Sequence, residues 1–399
     1  MYVEEVCSMK KVVRGFYSIA HSVKLCKPNV IAAYPITPQT EIVENLAKMY
    51  SNGELGDCEY VTAESEFGAA SILVGASAAG ARTFTATCSQ GLVLMSEVLL
   101  NAAGMRLPIV IVNTNRALSA PLSIWNDHQD SMLLRDGGLI QIHVETNQEA
   151  HDMVPLAFKV AENPRVMLPF MVNMDGFKLT HAYEPVDLLD QEIVDSFLPP
   201  YEPPVYMTTK NPLTFGSYAP PHCYAEFRVT LQNAMMRALD EIEKAYKDWA
   251  EITGRYWGGH AVGEYTDDAE LVVVSMGSLT GMVRDVVNEM RREGKKVGLL
   301  KLRTFRPFPV KEVRNALKNA NKILVFERAV SFGYEGPVGI EVKSAIFGFT
   351  PEFYSFAVGL GGRDVPREEI VKIIGDVYEG KVEQGFHFGT IKEFEEVVV

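Results

Sequence analysis

Short apolar runs alternate with stretches of helical periodicity along most of the chain, and this alternation limits the fold to parallel α/β architecture. Residues 30–34, 59–62, 83–87 and 108–113 read as strands, and 139–144 and 166–172 continue the series. Helical patterns lie between them at about 40–50, 65–79, 91–103 and 148–162. The run PIVIVN (108–113) is almost wholly apolar, as expected of a strand covered on both faces. Residues 183–224 break the pattern with Pro199, Pro200, Pro203, Pro204, Pro220 and Pro221. They read as an ordered arm, with Phe197, Tyr201, Tyr206 and Phe215 as anchors, followed by a long charged helix over about 225–251. A second α/β series begins near residue 269, with strands at 271–278, 297–302 and 322–327 and a last strand at 353–358. Its helices are predicted at 280–293, 310–318 and 340–346. The expected division is a first domain over 1–262, including the arm and long helix at about 183–255, and a smaller one over 263–399.

Charge and cysteine usage narrow the function. Among the 399 residues, 38 Lys plus Arg stand against 51 Asp plus Glu, a net charge of −13. Such a chain lacks the positive surface that grips nucleic acid without sequence preference, or that draws a polybasic segment to a membrane. The most apolar helical run, 92–105, is interrupted by Ser96, Glu97 and Asn101, whereas a membrane span needs about 20 largely apolar residues. The N-terminal MYVEEVCSMKK has no apolar signal-peptide core, so a cytoplasmic protein is expected. Cys7, Cys26, Cys58, Cys88 and Cys223 are scattered with no CxxC spacing, which predicts reduced thiols and no metal ligands on this chain. No P-loop, HExxH, GxSxG or well-placed GxGxxG occurs.

In an open parallel sheet, ligands bind beyond the carboxyl ends of the strands. Four polar segments follow the first four predicted strands: YPITPQT with Thr37, AESEFGAA with Glu64 and Glu66, TCSQG with Ser89 and Gln90, and NTNRALSAP with Arg116. A parallel sheet brings them to one edge. Each residue also has an ordinary structural reading: Thr37 and Ser89 as helix starts, Glu66 as a first-turn acid, Arg116 as half of an ion pair. Phe67, Gly68, Ala69 and Ala70 suggest an apolar, close-packed surround for Glu66, where a lone carboxylate is costly. The dense polar cluster of Asp127, His128, Gln129 and Asp130 reads as a loop hydrogen-bond network.

Taken in order, AAYPITPQTEIVE, ESEFGAA, SQGLVLMSE, NRALSAPLSIWNDHQDS, LRTFRPFP and GLGGRDV resemble the alpha subunit of pyruvate:ferredoxin oxidoreductase, and more broadly the 2-oxoacid:ferredoxin oxidoreductases. The resemblance implies a thiamine-diphosphate-binding fold of the pyrimidine type followed by a transketolase-C-terminal-like domain. It implies oxidative decarboxylation of pyruvate to acetyl-CoA and CO2, with coenzyme A as co-substrate and ferredoxin as electron acceptor. The same chemistry on a branched-chain or other 2-oxoacid, or a non-oxidative thiamine-dependent decarboxylase or transketolase-type subunit, are the alternatives. Beta, gamma and delta subunits would complete the enzyme, the beta chain sharing the cofactor, and the partners holding Mg²⁺ and [4Fe-4S] clusters. In keeping with that division, no GDG occurs, Gly375-Asp376 being followed by Val377. Carried over by resemblance, Glu66 would face the pyrimidine N1′ as the catalytic acid, with Glu64 as the competing assignment. Thr37 and Arg116 would contact the 2-oxoacid; Ser89 and Gln90, whose roles the resemblance does not fix, are expected with Thr37 to line the cofactor from their place after the strands.

Overall fold

The computed structural model describes residues 9–389, so Cys7 lies outside the described residues. In chain order the strands are β1 (Met9–Arg14), β2 (Val30–Ala33), β3 (Glu59–Thr62), β4 (Thr83–Thr87), β5 (Ile109–Asn115), β6 (Ile140–His143), β7 (Phe170–Asp175) and β8 (Tyr183–Leu188). Then follow β9 (Ala261–Glu264), β10 (Leu271–Ser275), β11 (Val297–Leu302), β12 (Thr304–Arg306), β13 (Lys322–Glu327), β14 (Glu352–Ala357) and β15 (Gly385–Phe388).

The first sheet has seven strands in the order β12-β6-β7-β5-β4-β2-β3. Strands β2 to β7 are mutually parallel, whereas β12 pairs antiparallel with β6. Chain order runs outward from β2 to β3 and then returns to β4 on the other side of β2. The switch point, where an open sheet offers its crevice, therefore lies between β2 and β4. The second sheet has six strands, β15-β14-β13-β10-β11-β9, all parallel except β9. Strands β4, β5, β7, β10 and β11 are buried throughout, because helices cover both faces.

Ile19, Leu46, Met153, Phe158 and Trp249 pack on one face of the first sheet, and Ala69, Leu73, Leu92 and Leu99 on the other. The helix Glu66–Ala78 starts where Ser65 accepts the Gly68 N–H at 3.1 Å, a side-chain cap for one of its open donors.

Three expectations need correction. Strand 353–358 is not the last: the helix Arg367–Tyr378 and β15 follow it. Part of the proline-bearing stretch is regular, with β8 pairing against β1 and a helix Gln191–Phe197. Pro185 is tolerated in a two-stranded ribbon because only one side of the strand needs its donors. Phe197 does anchor this region, edge-on to Trp249 at 4.7 Å, but Tyr206 is exposed.

The two sheets are tied at several points, two of them in or beside β11 and β12. Strand β12, from the second series, completes the first sheet. Glu149, fully buried, bonds Lys301 at 2.8 Å and also Arg303. Burial alone would raise its pKa, but the two cations overcome this and hold it at about 2. Removing one member of such a cluster costs about 3–5 kcal/mol. No helix among the described residues is long and apolar enough to cross a membrane.

Candidate functional site

The expected residues all follow carboxyl ends of parallel strands: Thr37 after β2, Glu66 after β3, Ser89 and Gln90 after β4, Arg116 after β5. Arg116 is buried and donates from Nη1 to the Thr37 carbonyl at 2.9 Å and from Nε to the Ser123 carbonyl at 2.9 Å. The Thr37 carbonyl also accepts from Cys88 Sγ at 3.2 Å, while the rest of Thr37 is exposed. Burial pushes the Cys88 thiol up to about 12, so it serves as a neutral packing and donor group. The Ser89 hydroxyl lies 2.6 Å from both Gln90 Oε1 and the Ala117 carbonyl, and Gln90 Nε2 reaches the Ser119 carbonyl at 3.4 Å. These two side chains hold the loop that carries Arg116.

Glu66 is buried, but not by the FGAA run that follows it: Phe67 is exposed. The carboxyl instead lies over the first turn of the helix Ser89–Met105. A methyl group added at Gly91 would stand 2.5 Å from Glu66 Oε1 and 2.7 Å from Thr87 Oγ1. Thr87 Oγ1 is buried and has no hydrogen-bond partner. Gly91 and Thr87 were not singled out from the sequence. The only signal for Gly91 is a glycine inside the first turn of a helix, where it costs about 1 kcal/mol against alanine. Glu64 is exposed and lies over Gly68, away from this niche.

Two comparisons within the molecule set Glu66 and Arg116 apart. Among the described residues the other buried carboxylates, Asp127, Asp130, Glu149, Asp152, Asp175, Glu241 and Glu327, each accept hydrogen bonds from the protein. Glu66 accepts none. Of the buried arginines, Arg82, Arg303 and Arg328 pair with Glu162, Glu149 and Asp175. Arg116 alone of these four has no ion pair. Neither group has a polar atom sealed from solvent without a partner, so both keep bonding capacity that a ligand can take up. A donor ring nitrogen suits the first and an anion the second. The residues present thus fit the pyrimidine of thiamine diphosphate and a carboxylate substrate. Among the described residues no group of three or more His, Cys, Asp or Glu is arranged to hold a metal.

The Asp127–Asp130 cluster is a hydrogen-bond network, as expected, and it spans both sheets. Asp127 accepts the Gly361 N–H at 2.9 Å, and Gln129 exchanges two bonds with the Val330 backbone at 2.9 and 3.1 Å. His128 Nε2 meets Asp175 at 2.6 Å, and Asp175 accepts the Ser278 N–H at 3.0 Å. Burial would raise the Asp175 carboxyl, but His128, Arg328 and Ser278 hold it well below the usual carboxylate range. The GLGGR loop packs beside this network, with no room for a side chain at Gly362 against Trp125.

Residues 21–247 match the family described as pyruvate flavodoxin/ferredoxin oxidoreductase, thiamine diphosphate-binding, and residues 269–370 match pyruvate:ferredoxin oxidoreductase core domain II. The chain is 50% identical over 366 residues to pyruvate synthase subunit PorA of Methanosarcina barkeri, covering 91% of each chain. It is 44% identical over 391 residues to ketoisovalerate oxidoreductase subunit VorA of Pyrococcus horikoshii, covering 96% of this chain and 98% of that one. In fold it is similar to a 2-oxoglutarate:ferredoxin oxidoreductase from Magnetococcus marinus, with TM-score 0.73 and 21% identity, over 92% of this chain and 65% of that one. A split-gene transketolase beta tetramer gives TM-score 0.52 at 11% identity, over 90% of this chain and 97% of that one. The fold is thus α/β and thiamine-diphosphate-binding in type, with a transketolase-C-like domain second, and the chain belongs to the 2-oxoacid:ferredoxin oxidoreductase family as an alpha subunit of a multi-subunit, thiamine-diphosphate-dependent enzyme.

Proposed function

We propose that the chain is the alpha subunit of an enzyme that oxidatively decarboxylates pyruvate to acetyl-CoA and CO2, reversibly, with reduction of ferredoxin. The buried, unpartnered carboxyl of Glu66 beside Gly91 is the observation that carries the catalytic part of this reading. Thiamine diphosphate, when bound, supplies the carbanion-stabilising centre of the reaction. Glu66 holds a proton at the pyrimidine N1′ and so acts as the general acid–base group of this chain. Arg116, fixed by two carbonyls, binds the 2-oxoacid carboxylate through charge-assisted bonds. Thr37 lies against Arg116 and orients the substrate, while Ser89 and Gln90 form the wall of the cofactor pocket.

In this reading residues 1–262 are the pyrimidine-type half and 263–399 the transketolase-C-like half. A beta subunit holds the diphosphate and its Mg²⁺, gamma and delta subunits complete the complex, and [4Fe-4S] clusters sit on the partners. The choice of pyruvate is supported by the PorA relatives at 46–50% identity. The 44% identity to VorA chains makes a branched-chain 2-oxoacid the second reading. Assembling the chain with its partners and measuring coenzyme A-dependent ferredoxin reduction decides between them. Higher kcat/KM for pyruvate than for 3-methyl-2-oxobutanoate is expected, and the reverse order rejects pyruvate.

A further inference from the structure

Asp130 has no part in the function just described, yet it stands at the centre of the site's hydrogen bonding. Its side chain is fully buried in the short helix Gln129–Leu133. Four donors converge on it. Oδ2 accepts the Ser89 N–H at 2.9 Å and the Arg116 N–H at 3.1 Å, and Oδ1 accepts Asn115 Nδ2 at 2.8 Å and the Ser131 N–H at 2.7 Å. Ser89 follows β4 and Arg116 follows β5, so one carboxylate ties together two strand ends. Ser89 has φ +52, a left-handed conformation that a serine adopts only when its surroundings impose it. An ionised carboxylate is a pure acceptor, and four converging donors need one. Asparagine at this position would turn an NH2 toward two N–H donors whichever way it was oriented.

The neighbours of Asp130 along the chain are committed elsewhere. Asp127, His128 and Gln129 reach the second sheet's loops through Gly361, Arg328 and Val330. Asp130 alone of the cluster faces the segments that follow β4 and β5.

We propose that Asp130 is a positioning residue: by holding the backbone of Arg116 and the turn at Ser89 together, it sets the place of the Arg116 guanidinium and hence the grip on the 2-oxoacid carboxylate. This rests on the reading of Arg116 as the carboxylate ligand. The test is a double-mutant cycle in the assembled, cofactor-loaded complex. Asp130→Asn raises KM for the 2-oxoacid by about 5–30-fold, with kcat and thiamine diphosphate affinity changed less than about threefold. In the Arg116→Ala background the same substitution adds almost nothing, because the group it positions is gone. An additive effect in that background overturns the proposal, as does a loss confined to cofactor affinity or melting temperature. Arg116→Ala alone separates the two readings. Unchanged kcat/KM in that variant rejects the carboxylate role of Arg116, whereas a loss there with an additive Asp130→Asn effect rejects only the positioning role. If Asp130→Asn does not assemble, Asn115→Ala removes one of the four donors and carries the same cycle, with about a 2–5-fold rise in KM that vanishes beside Arg116→Ala.

Discussion

Both sheets end in a buried acid and a buried arginine, and the two pairs are treated in opposite ways. At the end of β13, Glu327 accepts the Val338 N–H at 3.1 Å, the Gly339 N–H and the Ser355 hydroxyl at 3.3 Å. Its neighbour Arg328 reaches Asp175 at 3.5 Å and the carbonyls of Asn126 and Gly359 at 3.3 Å. In the first sheet, Glu66 accepts no protein hydrogen bond and Arg116 has no carboxylate. Burial is common to all four residues, so burial alone does not mark a site. The absence of a protein partner at a group that still reaches solvent does, because a ligand can complete it. Glu327 is spent on holding the second domain's own helix and Arg328 on joining the two domains, while the first sheet's pair is held open.

Substitutions sharpen this contrast. The largest effect is expected at Glu66. Glu66→Gln keeps shape but not the proton, so turnover of the assembled enzyme falls by about 10²–10⁴-fold while the complex still forms and binds cofactor. Arg116→Ala comes next, with kcat/KM for the 2-oxoacid lower by about 10–100-fold and cofactor affinity unchanged in a titration; lysine restores only part, lacking the planar fork.

Glu327 gives a stability effect instead. Burial lifts its carboxyl from 4.5 to about 7, against the helix N–H donors that lower it. The native state therefore binds more protons than the unfolded chain between these values, and stability falls as pH rises from about 4.5 to 7. The loss attributable to this group is about 3 kcal/mol. Glu327→Gln removes that slope from a series of denaturant unfolding curves across the window; an unaltered slope contradicts the assignment. The smallest effect is expected from Glu64→Gln, within about threefold of the unmodified enzyme in steady-state assays, because Glu64 is exposed and faces Gly68.

The first sheet was legible because strands covered on both faces are written as apolar runs, and the residues after them could be assigned to one edge from topology alone. Strands β1, β8, β9, β12 and β15 were not read. They are short or lie at sheet margins, and three residues such as Thr304–Arg306 carry no period. The candidate site was legible as a list of positions after strands. Its hydrogen-bond pattern was not, since it depends on how the 117–130 segment folds back over the site. Asp130 could be seen only as one of several acids in a polar cluster, and Gly91 only as a glycine. Glu66 is buried, but its carboxyl lies by Gly91 in the helix of Ser89–Met105 and near the Thr87 hydroxyl, and not under Phe67, which the adjacent sequence suggested.

The central claim is that Glu66, and not Glu64, is the carboxyl left open for the cofactor. Hydrogen–deuterium exchange at C2 of thiamine diphosphate, followed by acid quench and NMR on the assembled complex, tests it without reference to the substrate. Slow exchange in Glu66→Gln with near-normal exchange in Glu64→Gln is the predicted result. Near-normal exchange in Glu66→Gln contradicts the account.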